Sequence, residues 1–96
     1  MYNAQDIQRI VAPIAARYGV ERMYLFGSYA RGDNTEQSDI DLRIDKGQVK
    51  GLRMAFLLSD LEDALHKPVD LLSTSALDGQ FLNAIKGEER LLYARE

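Results

Sequence analysis

The chain has 96 residues, a net charge of −3 and no cysteine. This length predicts one folded domain, residues 1–96, with a modest core that a partner chain helps to cover. The acidic balance argues against direct nucleic-acid binding, the missing cysteines exclude disulfides and thiolate metal sites and fit a reducing cytoplasm, and nothing reads as a signal peptide or membrane span.

Asn3 to about Tyr18 predicts a helix, with Ile7, Ile10, Val11, Ile14 and Tyr18 on one stripe. Asn3 with Asp6 forms a capping pattern and Gly19 a stop, while Pro13 predicts a kink or a split. Met23 to Phe26 reads as a buried strand that runs into a Gly27-Ser28 turn. Ser28 to Arg31 opens a short helix, residues 32–37 form a polar loop, and Ser38 to Asp45 is the second strand. Residues 46–51 are a polar connection. Met54, Leu58, Leu61 and Leu65 then mark a long helix that ends before Lys67-Pro68. Val69 to Leu72 is a third strand, Ser75 and Asp78 cap a last helix that Gly87 ends, and Arg90 to Ala94 is an edge strand. The sum is a small mixed sheet with packed helices, of the α/β (α+β) class.

The chemistry concentrates at a few positions. Glycine at 27 lets backbone approach a polyphosphate, and the N–H and hydroxyl of Ser28 are donors for phosphate oxygens. After a gap of ten residues come Asp39 and Asp41, alternating with apolar Ile40, Leu42 and Ile44. That alternation puts both carboxylates on one strand face, with α-carbons about 6.6 Å apart. Such a pair suits two metal ions about 3.5–4 Å apart. Asp45 shares the face but lies about 20 Å from Asp39 and about 13 Å from Asp41, too far to join them. Asp70 interrupts the apolar run of the third strand, where a lone carboxylate needs a cation or donor nearby. Both strand ends meet only if the first two strands are antiparallel.

Other residues carry weaker signals. Arg31 either neutralises phosphates or pairs with Asp33 or Glu36. Arg43 reads as a surface or salt-bridging residue, and Ser38 as a strand-entry residue bonding local backbone. Tyr29 either stacks on a base or packs on the surface. His66 caps or lies on the surface.

The run Leu25-Phe26-Gly27-Ser28-Tyr29-Ala30-Arg31-Gly32, then Ser38-Asp39-Ile40-Asp41-Leu42, then Asp70, resembles the minimal nucleotidyltransferases of the DNA polymerase β-like superfamily. It is similar in particular to MNT antitoxins encoded beside HEPN ribonuclease toxins. The resemblance implies the polymerase β-like fold and transfer of AMP from ATP to a hydroxyl, with release of pyrophosphate. It implies two Mg²⁺ ions on Asp39, Asp41 and Asp70, with Asp70 also the base. Gly27, Ser28 and Arg31 would hold the nucleotide phosphates. The implied partner is a HEPN toxin whose tyrosine hydroxyl accepts AMP, which makes the chain an antitoxin. Two other readings stand beside it. One is an antitoxin that masks the toxin without chemistry, for which three metal-binding carboxylates serve no purpose. The other is a free-standing enzyme acting on a small molecule or an RNA end, for which the chain lacks an acceptor-binding domain.

Overall fold

A computed structural model describes residues 2–96. The first helix, α1 (Ala4–Tyr18), begins at a reciprocal cap: Asp6 N–H donates to Asn3 Oδ1 at 2.8 Å, and Asn3 N–H to Asp6 Oδ2 at 3.1 Å. It ends at Gly19, whose left-handed backbone (φ 77°) turns its N–H back to the carbonyls of Ala15 and Ala16. Pro13 does not split this helix. It lies exposed within one continuous element whose opposite side buries Ile7, Val11, Ile14 and Ala15.

Four strands form one sheet in the order β3-β2-β1-β4, with β1 at Arg22–Phe26, β2 at Ile40–Asp45, β3 at Val69–Ser73 and β4 at Arg90–Ala94. Strand β1 is antiparallel to both β2 and β4, whereas β2 and β3 are parallel. The parallel pair needs a crossover, which α3 (Leu52–Leu65) supplies. Its buried stripe is Leu57, Leu61 and Leu65, so Met54 and Leu58 lie at its margin rather than its centre. His66 caps the end of α3 in the left-handed region (φ 57°), its N–H donating to Glu62 O at 2.8 Å.

Alternation in the strands divides the sheet into two faces. Met23, Leu25, Ile40, Leu42 and Ile44 are fully buried in the core that α1 and α3 cover. The other face carries Tyr24 and Phe26 from β1, and Asp41, Arg43 and Asp45 from β2. Above it a 3₁₀ turn (Thr74–Ala76) leads into α4 (Gly79–Ile85). Asp78 caps α4 by accepting from Phe81 N–H at 2.8 Å, and Ser75 lies in the preceding turn rather than at the helix end. Phe81 meets Phe26 edge to face, with ring centroids 5.8 Å apart.

Arg43 is not a surface residue. Its guanidinium is buried and bonds both oxygens of Glu89 at 2.8 Å and Thr74 Oγ1 at 2.8 Å, and it lies 4.0 Å above the Tyr24 ring. A buried charge is tolerated only when its donors are satisfied in this way, so Arg43 ties the 3₁₀ turn and the entry to β4 onto β2. Among the described residues no helix is long and apolar enough to cross a membrane.

Candidate active site

The topology brings three chain segments to one end of the sheet. Strands β2 and β3 start there because they are parallel, and β1 ends there because it is antiparallel to β2. In register, Phe26 faces Asp41 on one side and Asp70 faces Asp41 on the other. Asp41 is therefore the central carboxylate, half-buried, with Asp70 beside it on an edge strand.

Asp39 stands just outside the strand. Strand β2 begins at Ile40, whose N–H donates to Pro68 O at 3.2 Å, not at Ser38. Ser38 instead closes a local turn, its Oγ accepting from Thr35 N–H at 2.8 Å. The turn leaves Asp39 exposed next to Asp41. Asp70 is also exposed, so it does not carry the burial penalty expected of a carboxylate in an apolar strand. Asp45 lies at the far end of β2, paired with Arg22 and Arg43.

The three carboxylates are close enough to repel. The Asp41 carboxyl is pushed up to about 6, first by burial, then by the charges of Asp70 and Asp39; Glu88 adds to the push and Arg31 opposes it. None of Asp39, Asp41 and Asp70 takes part in a salt bridge among the described residues. No three acidic or histidine side chains among those residues stand close enough to clasp one ion as they are arranged. The donor set still fits a hard divalent cation, because it consists of carboxylate oxygens and Asp41 ionises against two like charges.

This arrangement gives the metal-free protein a definite pH response. With its folded pKa raised above the ordinary value, Asp41 favours folding while protonated, below about pH 4, and this stabilisation is lost as pH rises through about 6. The group is partly open to solvent, so the effect is a shallow slope. In EDTA the melting temperature of the wild type should fall from about pH 4 to about pH 6 relative to Asp41→Asn. Parallel profiles for the two proteins would remove Asp41 as the cause.

Gly27 ends β1 against this cluster. Its φ of 74° lies in the left-handed region, and a Cβ there would overlap Asp41 Oδ2. Glycine is thus required by the approach of the turn to Asp41, a reason the sequence does not display. Ser28 opens the short helix α2 (Ser28–Arg31) and is half-buried. Tyr29 is buried in the core, neither packed on the surface nor offering a face to a nucleotide base, so both alternatives are overturned. Arg31 pairs with Asp33 at 3.2 Å and with Glu88 Oε2 at 3.0 Å, not with Glu36. Glu88 also accepts from Gly27 N–H at 3.2 Å. Sequence reasoning missed Glu88 at the site, since nothing in its spacing links it to a turn 61 positions earlier.

Comparison with known proteins identifies the family to which this fold belongs. The family description "Polymerase beta, Nucleotidyltransferase" matches residues 8–96. A Methanocaldococcus jannaschii protein named as a candidate protein adenylyltransferase is 40% identical over 76 residues, covering 78% of this chain and 82% of the relative. A solved structure described as a candidate minimal nucleotidyltransferase superposes with a TM-score of 0.79 at 31% identity, over 90% of this chain and 89% of that one. The MNT antitoxin complex with tri-AMPylated HEPN toxin from Shewanella oneidensis gives a TM-score of 0.72 at 19% identity, over 95% of this chain and 72% of the matched chain, a likeness of fold. With the match spanning nearly its whole length, the chain belongs to the polymerase β nucleotidyltransferase family.

Proposed function

We propose that this chain, acting as a single minimal domain, transfers AMP from ATP to a tyrosine hydroxyl of a HEPN toxin and thereby acts as its antitoxin. The observation that carries this reading is the half-buried Asp41 held between Asp70 and the Gly27 turn, with Asp39 beside it. Three carboxylates crowded at one sheet end have an electrostatic cost that a purely adhesive surface has no reason to retain. The name carried by the M. jannaschii relative and the AMPylated state of the S. oneidensis complex support the same reading.

Asp39, Asp41 and Asp70 are the residues that would hold two Mg²⁺ ions. Bound there, the ions supply charge neutralisation for the triphosphate and acidify the acceptor hydroxyl. The backbone N–H groups of the Gly27-Ser28 turn and the Arg31 guanidinium bind the phosphates and orient the α-phosphorus toward Asp70. Asp70 takes the proton of the acceptor hydroxyl as its oxygen bonds to the α-phosphorus and the bond to pyrophosphate breaks. The added phosphate places negative charge near the toxin's ribonuclease site, where RNA phosphate must bind. A cytoplasmic setting, where ATP and the toxin's RNA substrate meet, completes the reading.

Ligand that binds only the folded state raises stability by about 2.7 kcal/mol at a hundredfold excess over Kd. Melting temperature should therefore rise with ATP and Mg²⁺ together and much less with either alone. An equal shift from ATP in EDTA would count against the metal-dependent site.

A further inference from the structure

The carboxylate of Glu88 stands where the proposed reaction needs an anion to sit. One oxygen accepts from Gly27 N–H at 3.2 Å, and the other accepts from Arg31 Nη1 at 3.0 Å. These are two of the donors assigned above to the nucleotide phosphates. Both belong to the Gly27–Arg31 segment, whereas Glu88 comes from the connection between α4 and β4. The connection itself is anchored without that side chain: the N–H groups of Glu88 and Glu89 donate to Ile85 O, and Glu89 is bound by the buried Arg43. The Glu88 side chain can therefore leave the turn while its backbone stays in place.

We propose that Glu88 is an internal competitor for the triphosphate, a residue that sets nucleotide affinity by occupying the phosphate donors until a phosphate group displaces it. A carboxylate offers the same pair of acceptor oxygens as a phosphate edge, so the two ligands exclude each other on one N–H and one guanidinium. Glu88 also adds negative charge beside Asp41, which opposes an incoming polyanion. When the triphosphate arrives, Arg31 exchanges one anionic partner for another and remains paired. The reverse exchange assists departure of pyrophosphate. The inference rests on the phosphate reading of Gly27 and Arg31, and it assigns Glu88 a role opposite to that of a residue that merely holds Arg31 in place.

The test is calorimetric titration of the full chain with Mg·ATP, Mg·pyrophosphate and AMP, using wild type, Glu88→Ala, Glu88→Gln and Asp33→Asn. Asp33→Asn removes the other carboxylate on Arg31 and the same unit of charge, but leaves Glu88 on Gly27. Glu88→Ala should tighten Mg·ATP and Mg·pyrophosphate by about tenfold, a difference of about 1.4 kcal/mol. Glu88→Gln should tighten them less, since its amide oxygen still accepts from Gly27 N–H. AMP should bind nearly unchanged, and Asp33→Asn should shift all three ligands only slightly. Weaker Mg·ATP binding by both Glu88 variants would make Glu88 a support for Arg31 and overturn the proposal. Equal tightening by Asp33→Asn and Glu88→Ala would reduce the effect to general charge and also overturn it. In both cases normal wild-type binding leaves the nucleotidyl-transfer reading standing, whereas no Mg·ATP binding by any form would remove that reading and this inference together.

Discussion

Asp39→Asn and Asp41→Asn should each reduce AMP transfer by at least about 10²–10³-fold while leaving the protein folded, because a single preorganised electrostatic contact in an active site is worth that much. The substitution removes charge and almost no volume. In the metal-free protein, Asp41→Asn also relieves repulsion from Asp70 and Asp39, so its melting temperature near neutral pH should equal or exceed that of the wild type. Asp45→Asn is the matched control on the same strand face. It disturbs pairs with Arg22 and Arg43 at the far end of β2, so it should lower stability slightly and leave transfer intact. An active Asp41→Asn with an inactive Asp45→Asn would move the site to the wrong end of the strand.

Asp70→Asn should separate nucleotide binding from chemistry. Asp70 is exposed on the edge strand, level with Asp41 but on the side away from the Gly27 turn. In the proposed site Asp39, Asp41, the turn and Arg31 would remain to hold Mg·ATP, so affinity should fall only a few-fold. The acceptor hydroxyl would lose the group proposed to take its proton, so transfer should fall by about 10²–10⁴-fold, the usual range for loss of a general base. Titration calorimetry and transfer assays on the same preparation check both halves. Near-normal transfer by Asp70→Asn would make the residue structural.

Most of the fold was legible because its signals are local. Alternating Ile40, Leu42 and Ile44, the Asn3–Asp6 cap and the Gly19 stop each specify an element without reference to the rest of the chain. The antiparallel pairing of β1 with β2 followed from a functional requirement, that Gly27 and Asp41 meet, and the register has Phe26 opposite Asp41. Local rules failed where tertiary contacts decide. Pro13 sits on the solvent side of α1, where the bond it lacks does not break the helix. Of the two readings of Arg43, surface or salt-bridging, the ion pair with Glu89 bears out the second, but its burial is not legible because Glu89 and Thr74 arrive from distant segments to satisfy it. Tyr29 follows the Gly-Ser turn in sequence, but the first turn of α2 rotates it into the core. Glu88 escaped notice for the same reason, since its partners Gly27 and Arg31 lie on another segment.

Covalent modification and simple masking differ in what persists after this chain is removed. The decisive measurement is made on the proposed partner toxin after incubation with ATP, Mg²⁺ and this protein, followed by complete separation of the two chains. Intact mass and ribonuclease activity are then read on the isolated toxin. The isolated toxin is expected to have a mass increased by whole AMP units and to stay inert, with neither change when the Asp39→Asn/Asp41→Asn double variant is used. A toxin of unchanged mass that regains ribonuclease activity on separation would contradict covalent modification and leave masking as the mechanism.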